Sequence, residues 1–263
     1  MSELLKVPTM AEFMAQGKQP EVLFWVGCAG SFDDRAKKIT KAFVKLLNKA
    51  NVEFAVLGTE ESCTGDPAKR SGNEFLFQMQ AMTNIEVLNA YEIKKIVTTC
   101  PHCFNTLKNE YPILGGQYEV MHHTEFLKSL LDEGKLSIEG GKFKGKRITF
   151  HDPCYLGRAN NIYDAPRDLI QKLEAELLEM KNCKRNGLCC GAGGGQMFKE
   201  SEKGDKDINI ERTEQALQTQ PHIIAAGCPF CNTMMTDGIK AKEKEGEVKV
   251  WDVAELIASA QDL

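Results

Sequence analysis

The chain has 263 residues, 42% of them hydrophobic and 27% charged, with a formal net charge of −4. This is the composition of a globular protein with enough length for one large core or two smaller ones, and it excludes the basic footprint of a nucleic-acid binder. No apolar run approaches the roughly 18 residues of a membrane span. The opening "MSELLKVPTMAEFMAQGKQP" carries acids where a secretory leader needs an apolar stretch, so a cytoplasmic protein is expected.

Short β-branched or apolar runs then alternate with amphipathic patterns. "VLFWV" (22–26), "EFAVL" (53–57), "KKIVTT" (94–99), "YEVM" (118–121), "RITFH" (147–151), "ELLEM" (176–180) and "HIIAAG" (222–227) read as buried strands. Between the first two, residues 33–51 carry Ile39, Phe43, Leu46 and Leu47 on one helical face and lysines on the other. In "FLFQMQAMTNIEVLNAY" (75–91), Leu76, Met79, Met82 and Ile85 repeat at helical spacing, and this Met and Phe stripe is read as core. The glycine- and lysine-rich "LDEGKLSIEGGKFKGK" (131–146) reads as a linker or surface loop, and the mixed-sign "KAKEKEGEVKV" (240–250) as a solvated loop. The alternation predicts an α/β fold of two pseudo-repeated domains with largely parallel sheets, 20–135 and 146–263.

An internal repeat supports that division. Cys28 to Cys63 and Cys154 to Cys189 each enclose 34 residues, and each half carries a C-P-x-C motif, at Cys100 and Cys103 and at Cys228 and Cys231. "EVLFWVGC" parallels "RITFHDPC", "CTG" at Cys63 parallels "CCG" at Cys189, and "NIEVLN" at Asn84 is matched with "NIERTE" at Asn209. Ten cysteines are many for a reducing compartment, and their pattern points to metal ligation, with Cys183 set apart as a small buried apolar residue. Cys28, Cys154, Cys100 and Cys228 all fall at strand ends, where open α/β sheets place ligands. Proline after Cys100 and Cys228 suits a first helical turn, whose free N–H groups and dipole favour thiolate or sulfide.

In "NGLCCGAGGGQ" (186–196), Cys189 and Cys190 reach one site only if the backbone bends sharply, because neighbours on a strand point to opposite faces. Gly191, Gly193, Gly194 and Gly195 permit positive φ and close approach of the main chain to an inorganic core. A flexible linker, a phosphate cradle and a vicinal disulfide are the rival readings of this loop. Among the histidines, His151, three residues before Cys154, is the best candidate for contact behind the ligands. His102 lies within the first C-P-x-C and can face either the site or solvent, while His122 and His123 are expected to cap or pack.

The stretches "SCTGDPAKRSGNEFLFQM" (62–79), "CPHCFNTLKNEYP" (100–112), "HDPCYLGR" (151–158) and "CCGAGGG" (189–195) carry a resemblance. The chain resembles the cysteine-rich CCG domain of heterodisulfide reductase, in its B-type component, and of related iron–sulfur oxidoreductases, most of all the tandem cysteine-rich region of their large membrane-bound members. The resemblance implies a noncubane [4Fe–4S] cluster on Cys154, Cys189, Cys190, Cys228 and Cys231. In the first repeat Thr64 stands where the second has Cys190, leaving Cys28, Cys63, Cys100 and Cys103 for a [4Fe–4S] cluster or zinc. The implied role is an electron-transfer subunit served by a ferredoxin-type subunit or a flavoprotein and acting on a disulfide, quinone or organic-acid couple; the alternative is a zinc-stabilised assembly subunit. The two sites are expected to lie apart, one in each repeat.

Overall fold

The computed structural model describes residues 5–138, 141–200 and 203–263. Residues 1–4 of the opening segment and 139–140 of the predicted linker lie outside the described residues. Eight strands form two sheets there: β1 (Val22–Trp25), β2 (Phe54–Ala55), β3 (Lys95–Thr98) and β4 (Glu119–His122) in the first, and β5 (Arg147–Phe150), β6 (Glu176–Leu178), β7 (Ile223–Ala226) and β8 (Lys249–Asp252) in the second. The sheet orders are β2-β1-β3-β4 and β6-β5-β7-β8, and every pairing is parallel. β1, β3, β5 and β7 are central strands covered on both faces, and they are the near-continuous apolar runs that parallel sheets require.

The helices are α1 (Met10–Ala15), α2 (Gly27–Phe32), α3 (Ala36–Lys49), α4 (Asp66–Arg70), α5 (Glu74–Ala90), α6 (Pro101–Asn105), α7 (His123–Asp132), α8 (Asp164–Lys172), α9 (Ile208–Leu217), α10 (Pro229–Ala241) and α11 (Val253–Ala260). α3 packs on α11 and α7 on α8, so each pair joins one half to the other. Their apolar faces share one core with Val22, Phe24 and Val97 of the first sheet and Ile148, Phe150, Ile223 and Ala225 of the second. Opposite faces of the same strands are covered separately: Leu23, Trp25 and Ile96 pack with α5 and α6, and Ile224 with α9 and α10. Each large side chain buried in the shared core is worth roughly 1.5–3 kcal/mol relative to exposure, which makes the junction between halves as apolar as either interior. Among the described residues no helix is long and apolar enough to cross a membrane.

Four expectations are corrected. Most of the stripe on α5 is exposed: Leu76, Met79 and Met82 face outward with Phe75, whereas Ile85 is buried as expected and shares the buried face with Phe77, Ala81 and Leu88. Apolar residues occur all round this helix, so periodicity alone does not select a face. The predicted linker starts inside α7 and sends Leu136 and Phe143 into the shared core. The run 240–250 is a loop only in its middle, since it holds the last turn of α10 and the start of β8. Lastly, the match of Asn84 with Asn209 fails on register: Asn84 lies 16 residues before Cys100, and the residue 16 before Cys228 is Arg212.

Polar contacts fix the two halves to each other. The Arg35 guanidinium donates to both Glu255 carboxylate oxygens, at 2.8 and 2.7 Å, and to the Val250 carbonyl at 2.8 Å. His122 and Asp252 occupy the same place in the two repeats, each capping the helix after the last strand in a capping box with Glu125 or Glu255. From there His123 Nε2 donates to Asp252 Oδ1 at 2.9 Å, with both side chains fully buried. His122 Nε2 donates to the Gly227 carbonyl at 3.0 Å, next to Cys228.

Burial, reinforced by His123, holds the His122 pKa well below the usual histidine value. The neutral form therefore stabilises the fold fully above about pH 6.5, the ordinary histidine pKa, and that contribution is lost as pH falls below it. The urea midpoint is expected to drop between pH 7.5 and pH 5.5 in the wild type and to drop less in His122→Gln. An equal drop in both would remove His122 from this role.

Candidate metal centre

Both sheets reverse their winding between the first and third strands in chain order, and the cysteines gather at that crevice. Cys28 lies in the first turn of α2, just beyond β1, and Cys154 in the turn after β5. Cys100 and Cys228 cap α6 and α10, each with proline at the first helical position and Cys103 or Cys231 one turn in. Cys63 follows β2, and Cys189 and Cys190 lie on the loop between β6 and α9.

In the first repeat Cys28 hydrogen-bonds Cys63, and Cys100 hydrogen-bonds Cys103. In the second, Cys154 bonds Cys189, which bonds Cys190; Cys190 Sγ lies 3.3 Å from Cys231 Sγ, and Cys231 bonds Cys228. The two sets are not apart, because Cys100 of one hydrogen-bonds Cys228 of the other. Seven sulfurs are thus linked through hydrogen bonds, and the Cys28–Cys63 pair lies near enough to Cys100 and Cys103 to act on them through charge alone. Cys100, Cys103, Cys190, Cys228 and Cys231 are buried, whereas Cys28, Cys63, Cys154 and Cys189 are partly exposed. All ten cysteines are free thiols, so Cys189 and Cys190 form no vicinal disulfide. Cys183 stands outside the group, partly exposed beside Glu179 rather than buried.

The sulfurs divide their protons unequally. The hydrogen bond from Cys28 brings Cys63 down to about 7, that from Cys154 drives Cys189 far down, and those from Cys103 and Cys228 lower Cys100. Their partners rise, Cys190 to about 12 through its bond to Cys189. Backbone N–H groups add to this: Gly65 donates to Cys63 Sγ at 3.5 Å and Gly191 to Cys189 Sγ at 3.3 Å. Both glycines hold positive φ, +86° and +91°, which turns the chain so that the residue between reaches inward. That residue is Thr64 in one repeat and Cys190 in the other; the Thr64 hydroxyl points at Cys103 Sγ, 3.9 Å away, where the twin has a sulfur–sulfur contact. Of the other predicted glycines, Gly194 has positive φ in open space, and Gly193 has ordinary φ with its Cα beside His102.

His151 is completely buried, its Nδ1 accepting from Arg212 Nε at 3.0 Å. A ring nitrogen of His151 and the sulfurs of Cys190 and Cys231 lie within 4.8 Å of one another. Burial and the Arg212 charge push the His151 pKa down to about 3, so the ring is neutral. Arg212 is also fully buried and, among the described residues, forms no ion pair; it donates to the Asn182 carbonyl at 2.7 Å and to Gln215 Oε1 at 3.0 Å. His102 is buried at the seam of the repeats, its ring against Tyr155 and edge-on to Phe230, the matching residue of the second C-P-x-C. Burial works against charging His102, but its 2.9 Å bond to Asp66 and the nearby Cys100 outweigh burial and raise its pKa.

These residues fit an anionic metal–sulfur group. So many neighbouring thiols cannot ionise together without a cation, and Arg212 is a buried guanidinium that forms no ion pair among the described residues, the nearby Asp152 being bonded to Arg167. Five sulfurs in the second set exceed the four of a tetrahedral zinc site, and the four of the first match it. Arg212 and Asp66 carry no motif of their own in the sequence; Arg212 is found by counting back from C-P-x-C to the position of Asn84.

A family model described as a cysteine-rich domain, CCG, matches the chain twice, at residues 22–108 and 148–236. The chain is 50% identical over 256 residues to a Bacillus subtilis (strain 168) protein named "Probable iron-sulfur-binding oxidoreductase FadF", covering 97% of this chain and 36% of that one. It is 49% identical over 252 residues to the "EtfAB:quinone oxidoreductase" of Syntrophomonas wolfei, covering 94% of this chain and 35% of the relative. Identity is 33% over 254 residues to a component of the dihydromethanophenazine:CoB–CoM heterodisulfide reductase of Methanosarcina barkeri, covering 92% and 59%. The chain therefore spans about a third of the length of the first two relatives.

A Cβ at Gly65 would lie 2.9 Å from the Phe77 ring and 3.2 Å from the Phe77 carbonyl oxygen, whereas at Gly191 its nearest contact is 3.4 Å. Both positions carry the strain of positive φ, on the order of 1 kcal/mol. Gly65→Ala is expected to lower the melting temperature more than Gly191→Ala, by thermal denaturation monitored in the far ultraviolet.

Proposed function

The chain belongs to the cysteine-rich CCG-domain family, and on that premise we propose that it is an iron–sulfur oxidoreductase module. Cys154, Cys189, Cys190, Cys228 and Cys231 hold a [4Fe–4S] cluster of noncubane type, and Cys28, Cys63, Cys100 and Cys103 hold a second [4Fe–4S] cluster. The carrying observation is the five-sulfur set beside the buried Arg212, which forms no ion pair among the described residues, an arrangement with one thiolate more than zinc uses. Bound clusters would supply one-electron chemistry at the crevice.

The chain's own residues prepare the site for that work. Thiolate forms first at Cys63, Cys189 and Cys100, the members of each contact that their neighbours' hydrogen bonds favour. Cys154 and Cys189 are partly exposed, which gives the second set an edge facing a partner, while the buried Cys228 and Cys100 connect it to the first. A flavoprotein donor and a quinone acceptor are the partners that the name of the 49% identical relative supports. A disulfide acceptor is the reading that the name of the more distant heterodisulfide reductase component supports, and a ferredoxin-type donor and an organic-acid couple are further readings carried by the sequence resemblance alone. Zinc in the first set is a second reading, favoured by its four sulfurs and by Thr64 in the fifth place.

Iron, sulfide and zinc content of anaerobically purified protein, with EPR of oxidised and reduced samples, tests the assignment. About eight irons per chain with matching sulfide are expected, the content of two four-iron clusters; about four irons and one zinc would assign zinc to the first set. Zinc alone, with no iron taken up on anaerobic reconstitution, would sink the redox reading. Cys190→Ser is expected to change the second set's spectrum and spare the first, whereas Cys228→Ser, at the contact between sets, disturbs both.

A further inference from the structure

We infer that His151 is a hydrogen-bond donor, locked in one tautomer by Arg212, that serves the sulfur site of Cys190 and Cys231 and is not itself a metal ligand. A guanidinium has donors only, so the 3.0 Å bond from Arg212 Nε requires a bare lone pair on His151 Nδ1. The neutral ring then carries its proton on Nε2. That Nε2 is buried and has no hydrogen-bond partner among the described residues, and the ring has a nitrogen within 4.8 Å of the Cys190 and Cys231 sulfurs, which are the acceptors it is placed to serve. Ligation through Nε2 would move the proton to Nδ1 and set it against the Arg212 N–H, donor against donor.

The first repeat carries another ring at the matching position. Trp25 lies three residues before Cys28, as His151 lies before Cys154, and its indole N–H is likewise buried without a partner among the described residues. Indole donates and cannot ligate a metal. Two different rings at one position thus share a single capability, an N–H without a proteinaceous acceptor.

Resting on the iron–sulfur reading above, the donor has a measurable effect. An N–H bonded to cluster sulfur stabilises the reduced, more negative form and raises the reduction potential. Wild type, His151→Phe, His151→Gln and Trp25→Phe are compared by iron and sulfide content and by EPR-monitored potentiometric titration. His151→Phe is expected to keep its iron and to lower the second set's midpoint by about 59 mV, a tenfold fall in the reduced-to-oxidised ratio for a one-electron couple. His151→Gln, which keeps an N–H, recovers most of that shift, and Trp25→Phe leaves this signal in place. An unchanged midpoint in His151→Phe, or loss of the second set's iron in both His151 variants, overturns the donor role.

Should His151→Phe not fold, the imidazole tautomer read by nitrogen NMR in the wild-type protein as purified decides: a proton on Nε2 supports the assignment and a proton on Nδ1 overturns it. The same reading applies if the wild type holds no iron, which defeats the proposed function without touching the tautomer.

Discussion

Crowding of ionisable sulfur is the constraint on which the rest depends. Nine neighbouring thiols, seven of them linked through hydrogen bonds and five of them buried, are a poor way to fill a protein interior unless positive charge sits among them. The fold meets this with parallel strands that all end on one side, helices α6 and α10 opening at that side, and the buried Arg212 guanidinium, which forms no ion pair among the described residues. The capping boxes and the His122, His123 and Asp252 contacts lie just behind, and they hold the two crevices against each other so that Cys100 meets Cys228.

Duplication has kept the frame and changed the contents. Thr64 faces Cys190, Trp25 faces His151, Asn84 faces Arg212, and His102 faces Phe230 across the repeats. Each exchange alters charge or donor count, and at Thr64 and Cys190 the backbone turn is kept, as the matching positive φ values at Gly65 and Gly191 show. Asn84 spends its hydrogen bonds on the Cys63 carbonyl and the Tyr111 hydroxyl, a neutral role, where Arg212 brings a charge. His102 with Asp66 lies at the boundary between the two sets.

Much of this was legible in the sequence because it is periodic. The equal 34-residue spacings and the paired C-P-x-C motifs located the repeats and the cysteine sets, and the apolar runs located seven of the eight strands. β8 escaped because only one of its four residues, Val250, is buried and aliphatic, and charged neighbours surround it. The exposed stripe on α5 escaped because that helix has apolar residues on every side, and only the packed structure says which side meets the sheet. Contact between the two cysteine sets was invisible for a different reason. Nothing in the order of residues says how two repeats are turned toward each other, and that orientation is set by the shared core of α3, α7, α8 and α11.

That shared core has a consequence for what one repeat is worth alone. The helix that closes each half, α7 or α11, packs on the early helix of the other half, α8 or α3. The relation is reciprocal, the same pair of surfaces used twice. This is how an isologous dimer is built, with each partner lending a surface and receiving the identical one back. A single repeat left by itself would expose two apolar helical faces, and a second copy of that repeat is the partner whose shape fits them. The chain is therefore, in its packing, a symmetric pair carried on one polypeptide, and joining the copies is what allowed Thr64 and Cys190 to differ.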